Sequence, residues 1–301
     1  MVKYALAVDI GATNVRVALG DEKGNIIVKI KEKTKENKLV KQILKLVELV
    51  CESREVEVAG IGSLGPLDFV NKKIVRSPNL NIKNISLAKL KNLAKDVYLL
   101  NDATAAVVGE KYYGAGVNAK NIVYVTISSG IGAGVVVDGN LLWGKSGNAA
   151  ELGHMYVGSE YGLKCTCGYK NHWQAYASGI AHTDFYKQFQ KSKGVKKPLK
   201  LSSKEIFKLA RQGDKMALKF VDELGKINAR AVSNITVAYD PEIITLGGSV
   251  AQNENKLILN PIKKYVEQYL KLPKIMLSPL GNDAVLIGAL AAAWNKVGAK
   301  L

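Results

Sequence analysis

Two glycine turns lie between apolar strands and carry acidic or hydroxyl side chains: Asp9-Ile10-Gly11-Ala12-Thr13-Asn14 and Ser128-Ser129-Gly130-Ile131-Gly132. Such turns offer backbone N–H groups and hydroxyls to an anion, and a phosphate is the anion they suit. Alternatively they are tight hairpins whose glycines supply positive φ. Their equivalent places in two similar halves of the chain favour phosphate. Asn101-Asp102 stands where a strand stops and a helix begins. Both residues make good N-caps; the functional alternative makes Asp102 a general base at the carboxyl end of a strand, where open α/β sheets place ligands. Glu151, Gly153 and His154 precede Cys165-Thr166-Cys167-Gly168 and His172. Two cysteines one residue apart, flanked by histidines, form a candidate Cys₂His₂ zinc set of His154, Cys165, Cys167 and His172. The alternative is a pair of free thiols in a glycine-rich loop. Gly60-Ile61-Gly62-Ser63-Leu64-Gly65 spells the dinucleotide fingerprint, but that motif needs a helix to open at its third glycine. Pro66 follows and no helical period appears, so a Rossmann site is rejected; a GxxxxGK[ST] loop is absent from the sequence.

The elements that hold these residues read as alternating α and β. Tyr4 to Val8, Val15 to Leu19 and Ile26 to Val28 are strands, and Leu39, Ile43, Leu46, Val47 and Val50 recur at helical spacing. Strands follow at Val56 to Ala59 and Val97 to Leu100, with a helix at Leu87 to Leu93 and another from Ala103 to about Gly109. The design then restarts: Ile122 to Ile127, the second glycine turn, Gly134 to Val137, and the hairpin signal Asp138-Gly139-Asn140 before Leu141-Leu142-Trp143. Strand, glycine turn, strand, Gly-Asn turn and strand thus occur twice, which suggests two related α/β halves with a cleft between. Ser202 and Glu205 have capping-box spacing. Helices are expected from Asp214 to Ala238, Leu257 to Leu270 and Ala284 to Val297, with a strand at Ile243 to Leu246.

Composition narrows the function. The 301 residues are 48% hydrophobic and 23% charged, ordinary for a globular chain long enough to bury a core without staples. Three cysteines suit a reducing compartment, and the absence of a long apolar run or signal segment points to a soluble cytoplasmic protein. The 43 Lys and Arg exceed the 26 Asp and Glu, giving +17, yet only five are Arg. Base-reading proteins favour the Arg fork. Scattered Lys instead makes a solvated face with a general attraction for polyanions, so a small phosphorylated ligand is expected and specific nucleic-acid binding is not.

In order along the chain stand Asp9-Ile-Gly-Ala-Thr-Asn14, Ser63-Leu-Gly65-Pro66-Leu-Asp68, Ser77-Pro78-Asn79-Leu80, Asn101-Asp102-Ala103, Glu151-Leu-Gly153-His154, Cys165-Thr-Cys167-Gly168, Ala175-Tyr-Ala-Ser-Gly179 and Leu246-Gly-Gly-Ser249. With these motifs the sequence resembles the ROK family of bacterial and archaeal sugar kinases and sugar-responsive repressors, most of all its archaeal ATP-dependent glucokinase/hexokinase type. The resemblance runs from about residue 4 to residue 294. It implies an α/β, actin-like (ribonuclease H-like) ATPase fold of two α/β domains with an interdomain cleft. The small domain would be 1–101 plus 283–301, and the large one 102–282. The implied reaction transfers the γ-phosphoryl of ATP to the 6-hydroxyl of glucose, with mannose, glucosamine and N-acetylglucosamine within the family's range.

Carried across by position, Asp9 would hold Mg²⁺ through water, with Gly11, Ala12, Thr13 and Asn14 at the transferring phosphate. Ser129 and Gly130 would meet phosphates from the second half, and Gly247, Gly248 and Ser249 would lie beside the nucleoside. Ser63, Asn79, Asn101, Asp102, Glu151, His154 and Gln174 would bind sugar, with Asp102 as base. A homodimer is a family expectation. Four departures stand out: Ala12 replaces a second glycine, Ser128-Ser129 replaces Gly-Thr, His172 replaces the third zinc cysteine, and Gln174 replaces a glutamate that reads hydroxyls near the anomeric carbon. The family's regulators carry an N-terminal helix-turn-helix and commonly lose parts of the phosphate site. Here the first strand starts at Tyr4, with Asp9, Gly11 and Thr13 all present, so a kinase is expected over a sugar-sensing regulator.

Overall fold

The computed structural model describes residues 3–77 and 80–301. In chain order it contains β1 (Ala5–Ile10), β2 (Asn14–Gly20), β3 (Ile26–Lys33), α1 (Leu39–Cys51), β4 (Val58–Ser63), β5 (Leu67–Asp68), β6 (Lys73–Ser77), β7 (Leu80–Ser86), β8 (Asp96–Asn101) and α2 (Asp102–Tyr113). There follow β9 (Ile122–Ile127), β10 (Ile131–Val137), β11 (Asn140–Leu141), α3 (Gln174–Ala177), α4 (His182–Ser192), α5 (Ser203–Arg211) and α6 (Lys215–Tyr239). The chain ends in β12 (Ile243–Gly247), α7 (Ser249–Asn253), α8 (Asn255–Tyr265), β13 (Lys274–Leu277), α9 (Ala284–Trp294) and β14 (Ala299–Lys300).

Two sheets share one strand order. The first runs β14-β8-β4-β1-β2-β3 and the second β11-β10-β9-β12-β13, so β8-β4-β1-β2-β3 repeats as β13-β12-β9-β10-β11. This is the duplicated design expected from the sequence. The chain forms two compact units: Met1–Tyr124 with Gly134–Ala150 and Ser278–Leu301, and Val125–Ala133 with Glu151–Leu277. These bounds differ from a break at 101/102 because α2 packs on α9 and stays with the first unit.

Alternation along the strands explains the layers of the first unit. On one face Leu6, Val8 and Ile10 of β1 cluster with Leu39, Ile43, Leu46 and Val50 of α1. On the other, Ala5, Ala7 and Ala18 meet Leu286, Ala289, Leu290 and Ala293 of α9. Small residues let the helix backbone approach the sheet. The first two fingerprint-like glycines serve the same approach: a Cβ on Gly60 would run into the Ala289 carbonyl, and one on Gly62 would lie 2.6 Å from Val285 Cγ1. They occupy β4 itself, which runs to Ser63 rather than stopping at Ala59.

In the second unit, the Ser202–Glu205 capping box opens α5. The helix α6 starts at Asp214, whose side chain accepts from Ala217 N, and stops where Asp240 turns left-handed. Phe220 of α6 is ringed by Phe185, Tyr186 and Phe189 of α4. Two expectations change. The segment 88–93 is a 3-10 turn, and α8 ends at Tyr265 instead of Leu270, since its buried positions Ile258 and Ile262 have no successors at helical spacing beyond Val266. Among the described residues no helix is long and apolar enough to cross a membrane.

Candidate active site

In the first unit, parallel pairing places Ile10 opposite Ser63 and Ser63 opposite Asn101, so β1, β4 and β8 end level at their carboxyl edge. Asp9, Ser63, Asn101 and Asp102 therefore converge on one rim. Gly11 N–H donates to Asn14 O (3.0 Å), closing the turn that carries Ala12 and Thr13. A Cβ on Gly11 would lie 2.9 Å from that carbonyl, and Gly11 has no positive φ, so crowding by the turn's own backbone, rather than a left-handed conformation, requires the glycine. Thr34 holds the turn through Oγ1 to Gly11 O (2.8 Å).

Asp9 is 4% exposed. The Arg16 guanidinium donates from Nε to Asp9 Oδ2 at 2.5 Å and also contacts Asp283. Burial pushes the Asp9 carboxyl above the ordinary carboxylate range, against the opposing pull of Arg16. Arg16 escaped sequence reading; its signal was its rarity among the cations. At the start of α2 the two acid-amide readings separate. Asn101 is the N-cap, accepting from Ala103 N (3.1 Å), while Asp102 is the first helical residue, its Oδ1 accepting from the same N–H (2.7 Å). Ser63 is fully buried and donates to Leu64 O. Asn79 lies outside the described residues.

In the second unit, Ser128, Ser129 and Gly130 bridge β9 to β10, and Ser128 N–H donates to Gly130 O (2.9 Å). Gly247 ends β12, and Gly248 turns at φ +85° into Ser249. A Cβ on Gly248 would lie 2.6 Å from Ile127 O, so the two glycine segments abut.

His154, Cys165, Cys167 and His172 come together with all ligand atoms within 4.8 Å of one another. The Nδ1 atoms of His154 and His172 are 3.3 Å apart, Cys165 Sγ is 3.8 Å from His154 Nδ1, and Cys167 Sγ is 3.2 Å from His172 Nδ1. Zinc bonds of about 2.3 Å to sulfur and 2.0–2.1 Å to nitrogen at tetrahedral angles separate donors by roughly 3.3–3.8 Å, so these three separations suit a tetrahedral ion. Burial also holds the His172 imidazole toward its neutral, ligating form. With Nδ1 turned to the cluster, His154 directs Nε2 outward, 4.0 Å from Glu151 Oε2. Gln174, 9% exposed, turns inward instead: Oε1 accepts from Ile131 N (2.9 Å), and Nε2 donates to Thr166 Oγ1 (2.9 Å) and faces Cys165 Sγ (3.9 Å).

Comparison with known proteins agrees with this geometry. The ROK family model matches residues 5–296. A glucokinase of Pyrobaculum calidifontis is 35% identical over 298 residues, covering 98% of this chain and 96% of the relative. A glucokinase of Thermotoga maritima is 35% identical over 314 residues, covering 97% and 98%. The crystal structure of a ROK family glucokinase from Streptomyces griseus, in complex with glucose and AMPPNP, superposes with a TM-score of 0.81 at 29% identity, covering 97% of this chain and 99% of that one. The fold is the actin-like ATPase fold expected of the sequence. With a tight glycine turn after β1, an acid at the next strand edge but one, and likeness over nearly the whole chain in both sequence and structure, the chain belongs to the ROK family.

Proposed function

We propose that this protein is an ATP-dependent hexokinase that transfers the γ-phosphoryl group of ATP to the 6-hydroxyl of glucose and of related hexoses such as mannose, glucosamine and N-acetylglucosamine. The observation that carries this reading is the level carboxyl edge of β1, β4 and β8, which presents Asp9 and Asp102 beside the Gly11 turn. Phosphoryl transfer asks a protein for alignment and charge stabilisation more than for covalent chemistry. Asp102 accepts the proton of the 6-hydroxyl as its oxygen attacks phosphorus, and the leaving group is ADP. Backbone N–H groups of Ala12 and Thr13 in the first turn and of Ser129 and Gly130 in the second stabilise the charge growing on the phosphoryl oxygens, the Gly11 and Ser128 N–H groups being used to close the turns. Gly247, Gly248 and Ser249 flank the nucleoside. Asn79, Asn101, Glu151 and His154 hold sugar hydroxyls, with buried Ser63 supporting their rim.

Two metal ions belong to this reading. Mg²⁺ takes oxygen ligands and usually keeps water, so a single carboxylate, Asp9, suits it through a water; Asp9 has Oδ2 on Arg16 and Oδ1 left for that role. The ion supplies neutralisation of phosphate charge. Zinc suits His154, Cys165, Cys167 and His172, and would fix the His154 tautomer so that Nε2 can meet a sugar hydroxyl. A cytoplasmic homodimer completes the proposal.

The test is ADP release from ATP with a panel of hexoses. Release should depend on sugar, which also separates a kinase from a sugar-sensing regulator. Asp102→Ala should lower kcat by roughly 10²–10⁴-fold. Asn101, not Asp102, provides the N-cap, so the helix should survive the change. A loss below about tenfold, typical of no general-base role, would leave Asp102 only a local structural part.

A further inference from the structure

Gln174 stands between the two features of the second unit that matter most to the reading above. Its amide oxygen holds the N–H of Ile131, the residue that closes the Ser128–Gly130 turn. Its amide nitrogen holds Thr166 and faces the sulfur of Cys165, one of the four metal-cluster residues. Both N–H bonds of the amide are thereby directed at protein groups, leaving no donor for a sugar hydroxyl. The other end of the same turn is held from the same helix: Gly179 N–H, just past α3, donates to Ser128 O at 2.7 Å. The helix α3 is buried along its length, and Trp173 before it is fixed to α6 through Nε1 to Asn228 Oδ1 at 2.8 Å. The segment 172–179 is thus a rigid bracket that begins at a cluster histidine and grips the glycine turn at both ends.

We propose that Gln174 is a positioning residue that ties the cysteine turn of the metal cluster to the Ser128–Ile131 phosphate turn, so that the state of the cluster bears on the enzyme's grip on ATP as well as, through His154, on sugar. The inference rests on the kinase reading for its link to ATP; the tie itself does not. The amide suits this place because each end needs opposite chemistry. Ile131 N–H needs an acceptor, while a cysteine thiolate takes a donor and the Thr166 hydroxyl accepts from the same amide nitrogen.

The experiment uses the full chain, zinc-loaded, with Gln174→Met, Gln174→Glu and Thr166→Val compared with wild type. Thr166 is exposed, so its variant leaves the core intact and serves if Gln174→Met does not fold. Amide exchange at Ile131 should speed up by about tenfold or more in Gln174→Met and stay slow in Gln174→Glu. Zinc release to a chromophoric chelator should quicken by about tenfold or more in Gln174→Met and more modestly in Thr166→Val. The KM for ATP should rise several-fold in Gln174→Met with the KM for sugar within about twofold, the pattern of a lost ground-state contact at one substrate only. Wild-type exchange at Ile131 in Gln174→Met, unchanged zinc release in both Gln174→Met and Thr166→Val, or a rise confined to the sugar KM would each overturn the proposal. If wild type phosphorylates no hexose, the kinase reading fails alone, and the exchange and zinc-release measurements still decide whether the tie exists.

Discussion

His182 shows how a single buried side chain sets a pH limit on the whole second unit. Its ring is fully buried, edge-on to Phe207 and Phe220, with Nδ1 2.8 Å from Ser203 Oγ. Burial drives its pKa down to about 4, below the value of about 6.5 it has when exposed. The unfolded chain therefore takes up the proton first as pH falls. Stability from this residue is whole above pH 6.5 and is lost between pH 6.5 and 4, at about 1.4 kcal/mol per pH unit. Between pH 6.5 and 5 the loss is about 2 kcal/mol. His182→Gln should unfold more easily at pH 7.5 but lose less on acidification, so its deficit relative to wild type should shrink by about that amount at pH 5. A constant deficit in denaturant melts at both pH values would mean that His182 protonates as readily in the folded chain.

At the scale of elements, what the sequence disclosed and what it hid divide by the range of the contact involved. The paired glycine turns, the Ser202–Glu205 box and the Asp138-Gly139 hairpin are local chemistry, and each formed as read; Asp138 and Gly139 both take positive φ, as a tight hairpin requires. The zinc-type cluster was also legible, because three of its four residues lie within one short loop and His154 just before it. The bracket of Gln174 was not legible, since a glutamine's partners across the fold leave no periodicity behind. Nor was the purpose of Gly60 and Gly62, whose neighbour α9 is at the far end of the chain. Gly288 makes the same point with a consequence. A Cβ there would run into the Ala105 carbonyl of α2, and one on Gly109 would lie 2.9 Å from Gly288 N. The crossing of α2 and α9 thus depends on bare backbone on both sides. Gly288→Ala favours the helix by about 1 kcal/mol in propensity. It also forces the helices apart, an overpacking strain of about 1–3 kcal/mol or more. The crowding should win, so the variant should melt below wild type in differential scanning calorimetry. An equal or higher melting temperature would show that α2 and α9 can separate without loss.

Over the whole molecule the dominant physical fact is charge: 43 basic against 26 acidic residues, almost all of the excess lysine. Several carboxylates are already committed to cations, as Asp283 is to Lys29 and Arg16, and Asp222 to Lys264 and Lys226. The surplus therefore acts as a diffuse positive field, and lysine gives it reach without the bidentate geometry that reads a base. Such a field treats the two proposed substrates differently. ATP is a multiply charged anion, whereas glucose is neutral. Screening shortens from about 10 Å at 0.1 M salt to about 3 Å at 1 M, so raising salt removes the attraction for the nucleotide and leaves the sugar untouched. The expected signature is a kcat/KM for ATP that falls several-fold between 0.05 and 0.5 M potassium chloride at fixed free Mg²⁺, while the KM for glucose stays constant. Replacing the salt by a neutral osmolyte at equal osmolality should not reproduce the fall. If both substrates weaken together, or the osmolyte acts like salt, the excess lysine has no part in capturing ATP, and only local groups such as the turns at 11–14 and 128–130 draw the phosphates in.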